Sequence, residues 1–489
     1  MQSSNTNKAL KGMSSQTLVT FVLGIVEIAS FAIMSRLLSQ EDFGYYAAIT
    51  AVTMVFSSFS ETGVGASIIQ RKEIDSHYVN NCFTISFIFG AFISLLLVAL
   101  AYPLACVVAD KTMTVPLMLM SITLIGNCLT SVNISIMYRR LEFLQVGVIS
   151  LISLVITTIV AILLALGGFG YYAILAKAIF TSVLSWLISS VMCKTKFKFE
   201  FSNSLFKSIF GFSGWLMASV FFRNLAQQLD KLLMARLLSI SSLGAYNRPK
   251  EFIGQISSKF GGIFDTALFP VLSQIQDNKE SMRRAYLRSM YMLNLASVVL
   301  ALGFIFNGEL IIRIFFGEEW LRILSVFQIL SLAVVFNFDA RLADCYLRSH
   351  GWTKQQFFFR MFEVGTKIIG LLVGYHWGLI GIALSVLSSD LLMVIVKHVY
   401  IARRIGVSTT DGVSALVKSW QISVVCVPLL SLAMWYLPHS MGGCVINAVI
   451  FVTLLIVCFL ICPSIAGREY KEDFYQNYVI KILNKLHLK

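Results

Sequence analysis

Residues 34–46 read MSRLLSQEDFGYY and residues 234–246 read MARLLSISSLGAY, a helix end and a turn repeated at an offset of 200 residues. A chain that contains itself twice must fold as two like units, and that constraint precedes any assignment of single elements. Long apolar runs flank both copies. Duplicated arrays of membrane helices are the build of secondary transporters, which hold their substrate between the repeats near the bilayer midplane, so the repeat points to transport.

Composition decides the solvent. With 57% hydrophobic and 13% charged residues and a mean hydropathy of +0.78, the chain is too apolar for a water-soluble globule. At roughly 20 apolar residues per crossing, it accommodates about fourteen spans. These are predicted at 14–38, 45–69, 80–102, 114–137, 145–167, 171–193, 209–235, 251–273, 289–307, 321–347, 357–375, 378–400, 417–437 and 442–463. The polar start, with Lys8 and Lys11, leads into an apolar stretch without a small-residue cleavage site and reads as a retained first span. The nine cysteines lie in or beside apolar runs without a CxxC pair, so they read as small hydrophobes with neither a disulfide framework nor a metal site.

The net charge of +14 reflects where Lys and Arg are retained during insertion, not affinity for nucleic acid. Counted with the connection each one faces, 25 lie on one side, 7 on the other and 7 within spans. The richer side is cytoplasmic by this rule, which puts both termini inside and makes the number of spans even. Two further matches extend the repeat: Glu61-Thr62 with Asp265-Thr266 at an offset of 204, and Tyr138 and Arg140 with Tyr346 and Arg348 at 208. The expected architecture is all-α: an N-lobe of six spans (1–193), a basic cytoplasmic linker (194–208), a C-lobe of six spans (209–400), two added spans (401–464) and a cytoplasmic amphipathic tail (465–489). Within the tail, residues 469–486 carry an apolar face flanked by lysines, the pattern of an interfacial helix on the anionic inner leaflet. Six spans per repeat insert both copies the same way up, so the relating axis is expected along the membrane normal.

Catalytic signatures are absent: the sequence holds no P-loop, no HExxH, no GxSxG and no GxGxxG after a strand. No predicted outer connection exceeds about fifteen residues, too short to hold the acceptor and the acid or base of a sugar-polymerising enzyme. What remains are ionisable residues inside spans, at about 2.5–3.5 kcal/mol each near a helix centre, and these mark cavities and pathways. Arg341, Asp344 and Arg348 form a ladder on one helical face, and Arg360, Glu363 and Lys367 form a second across a short cytoplasmic loop. The two ladders are expected side by side. They either pair with each other and fix the hairpin or, having more bases than acids, receive a phosphate. Arg223 joins Arg341, Arg348, Arg360 and Lys367 as candidate headgroup ligands. Glu27, Glu61, Asp230, Asp265, Asp344, Glu363 and Asp390 are candidate sites for a coupling H+ or Na+. Lys177 is the one basic residue within a span of the first lobe, so binding is expected to lean towards the second.

The run Arg36-Leu37-Leu38-Ser39 to Phe43-Gly44, followed by Gly63-Val64-Gly65-Ala66-Ser67-Ile68-Ile69-Gln70-Arg71-Lys72-Glu73-Ile74, resembles the start of bacterial polysaccharide flippases of the Wzx type, closest to the colanic-acid exporter group. Phe269-Pro270, Ser273-Gln274-Ile275-Gln276-Asp277 and Phe316-Gly317-Glu318-Glu319-Trp320 agree with it. The resemblance implies the fold of the multidrug, oligosaccharidyl-lipid and polysaccharide exporter superfamily, a V of two six-helix lobes that opens alternately to either side. It implies transfer of an undecaprenyl-pyrophosphate-linked oligosaccharide across the plasma membrane for exopolysaccharide or O-antigen-type lipopolysaccharide assembly. The two added spans would form a groove for the lipid tail. Membrane lipids, a polymerase and chain-length machinery are the implied partners; no cofactor is implied beyond a coupling ion. A cation or drug antiporter on the same fold would stop at twelve spans and line its cavity with acids, and a polymerase would need a long outer loop.

Overall fold

A computed structural model describes residues 2–60, 64–71, 74–108, 110–194, 197–275, 278–437 and 440–461, and over these it contains helices and turns but no strand. The helices are α1 (Gln2–Leu37), α2 (Gln40–Ser60), α3 (Val64–Gln70), α4 (Ser76–Val108), α5 (Thr114–Met120), α6 (Ile122–Arg139), α7 (Phe143–Leu166), α8 (Tyr171–Cys193) and α9 (Asn203–Leu237). They continue as α10 (Ile240–Ile275), α11 (Lys279–Phe306), α12 (Gly308–Phe315), α13 (Leu324–Ser349), α14 (Thr353–Gly374), α15 (Gly378–Ile405), α16 (Thr409–Tyr436) and α17 (Met441–Ile461). Wherever it is described, each expected apolar segment falls on helix. Ten helical stretches among the described residues are long and apolar enough to cross a membrane. Large apolar side chains such as Phe21, Phe92, Leu95, Ile369 and Trp435 face outwards, an arrangement that lipid solvates and water does not. The tail pattern at 469–486 lies outside the described residues.

Two expected spans are not single helices. The segment 45–69 runs through α2 and the short α3, with 61–63 outside the described residues. The segment 114–137 is divided into α5 and α6 at Ser121, whose amide reaches both Leu117 O and Met118 O and whose carbonyl accepts from Ser94 Oγ on α4 at 2.8 Å. A carbonyl held by a neighbouring helix is one drawn out of its own ladder.

The chain forms two compact units, each with its own interior. The first comprises 1–248, 315–317 and 360–382; the second comprises 249–314, 318–359 and 383–489. In the first, α7 packs on α1 and α8, α6 on α4 and α8, and α9 on α2 and α4. Lipid is as apolar as leucine, so close packing and polar contacts between helices must hold such a bundle, at about 0.6 kcal/mol per contact. Ser182 Oγ donates to Thr123 O at 3.1 Å, Asn133 Nδ2 donates to Ser189 Oγ and Ser190 Oγ at 3.0 Å, and Thr157 and Thr181 hydroxyls meet at 2.8 Å. In the second unit α11 packs on α13 and α16, and α16 on α17, around Val298, Leu302, Val335, Ile422, Cys426, Phe451 and Cys458.

The repeat is visible in backbone hydrogen bonds. Leu38 N donates to Met34 O and Phe43 N to Ser39 O; two hundred residues on, Leu238 N donates to Met234 O and Leu243 N to Ser239 O. Each turn is capped by its serine, with Ser39 Oγ accepting from Asp42 N and Ser239 Oγ from Ser242 N, both at 3.1 Å. The copies also touch. A Cβ on Gly44 would lie 1.9 Å from the Ile240 carbonyl oxygen, and one on Gly244 would lie 1.8 Å from that of Gln40. Under the 200-residue offset these contacts exchange with each other, as a two-fold relation requires, and only glycine permits them.

A second pair of turns corrects the offset read from residue identity. Around Leu141, Arg140 N donates to Ile136 O, Leu141 N to Tyr138 O and Glu142 N to Met137 O. The same three bonds run from His350 to Tyr346, Gly351 to Arg348 and Trp352 to Leu347. The counterpart of Arg140 is therefore His350, not Arg348, at an offset of 210, because the turn's hydrogen bonds set the register and side-chain identity does not. Leu141 and Gly351 share the left-handed conformation, with φ of 61° and 68°.

Between α8 and α9, residues 197–202 run along α4 without helical structure. Lys198 N donates to Asn80 Oδ1 at 3.2 Å, Glu200 N to Thr84 Oγ1 at 3.0 Å, and the Glu200 carboxylate takes Asn80 Nδ2 at 2.8 Å and His77 Nδ1 at 2.5 Å. Phe197 stacks on Phe83 with centroids 4.3 Å apart.

Candidate functional site

The first unit carries two buried clusters of charge. In one, Arg248 at the first third of α10 reaches α1: its Nε donates to Ser35 Oγ at 3.0 Å and its Nη2 to Phe31 O at 2.8 Å. Its guanidinium lies 3.3 Å from the Phe31 ring centroid and 4.1 Å from that of Phe43. Cation–π contacts of this kind are strongest when desolvated, and Arg248 is 6% exposed. Phe31 is held from another side by Phe316, edge-on at 5.2 Å. Lys177 on α8 donates to Ser30 Oγ on α1 at 2.5 Å and stands in the electrostatic field of both Arg248 and Glu27.

The second cluster is the ladder of α14. Glu363 takes Arg360 Nη1 on one oxygen at 2.8 Å and Lys367 Nζ on the other at 3.0 Å. Glu363 and Lys367 are buried and Arg360 nearly so. The i,i+3 and i,i+4 spacing that suggested the ladder is the spacing that closes it. The ladder thus brings two bases to one acid largely away from water, where charges interact most strongly.

In the second unit the α13 ladder is arranged differently. Asp344 takes Lys397 Nζ of α15 at 3.0 Å, and Lys397 is 1% exposed. Arg348 is exposed and donates through Nε to the Asp344 backbone carbonyl at 3.3 Å. Arg341 lays its guanidinium over Gly261 of α10, where a Cβ would meet Cδ, Nε and Cζ at 3.1–3.2 Å. Two residues before Arg341, Asp339 takes Asn294 Nδ2 of α11.

The remaining sequence candidates are dispersed. Asp230 is buried on α9 and accepts from Tyr246 Oη of α10 at 2.8 Å. Arg223 is half-buried on α9, and Glu27 and Asp390 are half-buried on α1 and α15. Glu61 lies outside the described residues, as does the side chain of Asp265. Arg248, Lys397 and Asp339 were missed. Arg248 is one of the seven bases that the predicted spans leave on the poorer side, but it lies inside α10, whose start at Ile240 leaves no connection there. Lys397 sits at the end of an apolar run and reads as an interfacial anchor until Asp344, 53 residues away, is brought to it. Asp339 did carry a signal: it interrupts the apolar run of 332–340 just ahead of the ladder.

The profile of the family described as "Polysaccharide biosynthesis protein" matches residues 33–325. The chain is 25% identical over 316 residues to the succinoglycan biosynthesis transport protein ExoT of Rhizobium meliloti, covering 64% of this chain and 63% of that protein. It is 21% identical over 405 residues to the lipopolysaccharide biosynthesis protein WzxC of Escherichia coli, covering 80% of each. Among solved structures, the lipid II flippase MurJ in its inward closed conformation superposes with a TM-score of 0.71 at 15% identity, covering 95% of this chain and 99% of that one. The fold is thus shared nearly end to end.

Proposed function

This chain belongs to the polysaccharide biosynthesis protein family, and from that premise we propose that it is a transporter, not an enzyme, that carries a lipid-linked oligosaccharide from the inner to the outer leaflet of the bacterial plasma membrane. The cargo in this reading is an oligosaccharide on a polyprenyl pyrophosphate, destined for surface polysaccharide. Residues 1–193 and 209–400 act as the two lobes that alternate access, 401–464 flank the lipid tail, and both termini are cytoplasmic. A polymerase and its chain-length partner take the product outside, and H+ or Na+ entry drives the cycle.

One observation carries the proposal beyond family membership: basic side chains gather inside the first unit in two clusters, Lys177 and Arg248 on α1, and Arg360 and Lys367 on Glu363. An anionic headgroup crossing a bilayer needs such compensation, because a bare charge in hydrocarbon costs several kcal/mol or more. Arginine offers a phosphate a planar fork and lysine a point charge. Neutralising either cluster, by Lys177→Gln or by Lys367→Gln, is expected to reduce surface polymer about tenfold at unchanged protein abundance. The decisive experiment deletes the gene and measures lipid-linked intermediates by mass spectrometry. Accumulation of complete repeat units with loss of polymer is the expected result; normal polymer would overturn the proposal.

A further inference from the structure

The interior of the second unit contains a carboxyl group with no cation beside it. Asp339 on α13 is 3% exposed, and its partner is the neutral amide of Asn294, itself fully buried on α11. Among the described residues, no Lys, Arg or His forms an ion pair with Asp339. Its titratable surroundings are Tyr286 on α11, Arg341, Asp344 and Tyr346 on its own helix, and Lys397 and His398 on α15. Lys397 is committed to Asp344, and Arg341 lies over Gly261. His398 sits beside the Asp339 backbone and meets Tyr286 Oη through Nδ1. The acids and base of the outer turn, Glu318, Glu319 and Arg322, lie at least 17 residues back along the chain, about 25 Å of helix.

A buried carboxylate is tolerated when a cation or several donors compensate it; otherwise the group neutralises. Three further polar atoms in this interior have no hydrogen-bond partner among the described residues: Asn294 Oδ1, Tyr346 Oη and His398 Nε2. The first is the informative one. An amide facing a carboxylic acid can form two complementary bonds, N–H to carbonyl oxygen and O–H to amide oxygen. The first bond is present. The second requires a proton on Asp339, and that proton would satisfy the orphaned amide oxygen.

We infer that Asp339 and Asn294 form the proton-binding pair of the transport cycle, with Asp339 carrying an exchangeable proton in the buried state. The step is R–COOH to R–COO− with the proton passing to water when the pair is exposed. Tyr286, Tyr346 and His398 mark its route: the Tyr286 and Tyr346 rings meet edge-on at 4.9 Å, Tyr346 stacks with His350 at 6.4 Å, and His350 stands in the turn that ends α13. That turn lies about 16 Å along the helix from Asp339, on the side that the charge distribution makes cytoplasmic.

The inference rests on the transport reading, and two measurements separate their fates. Infrared spectroscopy of the purified full-length protein in lipid nanodiscs should show a protonated-carboxyl stretch at neutral pH that Asp339→Asn lacks and that Asn294→Ala shifts; replacing sodium with choline should leave it unchanged. Identical spectra in wild type and Asp339→Asn, or a band that appears only when sodium is withdrawn, would overturn the assignment. Should Asp339→Asn fail to assemble, the Asn294→Ala shift decides alone. In proteoliposomes loaded with lipid-linked oligosaccharide extracted from the deletion strain, a pH gradient should drive wild-type transport, and the driven component should fall about tenfold in Asp339→Asn. An undiminished response to the gradient in that variant would also overturn it. Failure of the wild type to move the oligosaccharide under any gradient would reject the transport reading while leaving the infrared result standing.

Discussion

The two copies of the helix–turn–helix at Ser39 and Ser239 have the same backbone but different reach. In the first, Asp42 takes both Ser39 N at 3.0 Å and Ser39 Oγ at 2.7 Å with Oδ2, and its other oxygen accepts from Tyr171 N at the start of α8 at 2.8 Å. In the second, the residue at that place is Ser242, and its hydroxyl meets Ser239 Oγ at 2.8 Å. One copy is a turn and a tether between helices distant in sequence; the other is a turn. The duplication conserves what a turn needs locally, a cap and a glycine, and leaves longer-range bonds to differ. The α6–α7 and α13–α14 turns repeat the lesson, since Leu141 and Gly351 occupy one left-handed conformation that glycine adopts without strain and leucine does not.

The largest effect is expected where the copies touch. Gly44→Ala and Gly244→Ala each drive a methyl group into a backbone carbonyl, so each should cost about 3 kcal/mol or more and abolish folded protein as read by fluorescence-detected size exclusion. If one tolerates alanine and the other does not, the two-fold relation is broken. Next comes Asp42→Ala, which removes a capping partner and the bond to Tyr171 N. About 1–2 kcal/mol should be lost in thermal unfolding in detergent, against about 0.5 kcal/mol for Ser242→Ala, and equal losses would show that the tether contributes nothing. Gly351→Ala should cost about 1 kcal/mol, whereas Leu141→Gly should be neutral or gain a few tenths of a kcal/mol.

The smallest effect concerns the linker along α4. The Asn80 amide and the His77 ring hold the Glu200 carboxyl below the ordinary carboxylate range. A depressed acid contributes above its unfolded value and loses that contribution as pH falls through its folded one. The clamp should therefore persist from pH 7 to pH 5. In hydrogen exchange, Glu200→Gln should expose the amides of Lys198 and Glu200 faster than wild type at pH 7, and an unchanged rate would show that the backbone bonds suffice without the carboxylate.

How much of this could be read beforehand varies with the range of the interaction. The α14 ladder was legible because Arg360, Glu363 and Lys367 are neighbours on one helix, and helical spacing alone brings them together. The α13 ladder was read as the same pattern, yet its acid binds Lys397 of another helix. Asp339 was passed over because its meaning depends on Asn294, 45 residues away, and on the absence of a cation, which no spacing rule reveals.

Helical character, membrane residence, duplication and the turn-forming serines and glycines were settled by the amino-acid order, because each follows from apolar length or from contacts within a few residues. Tertiary structure alone decided that Arg248 is a buried clamp on Phe31 and Phe43, that Gly44 and Gly244 are the points of closest approach, and that His350 answers to Arg140. The reason is physical. The charge state and partner of a group inside a membrane depend on what other helices bring to it, and that is set by packing across hundreds of residues.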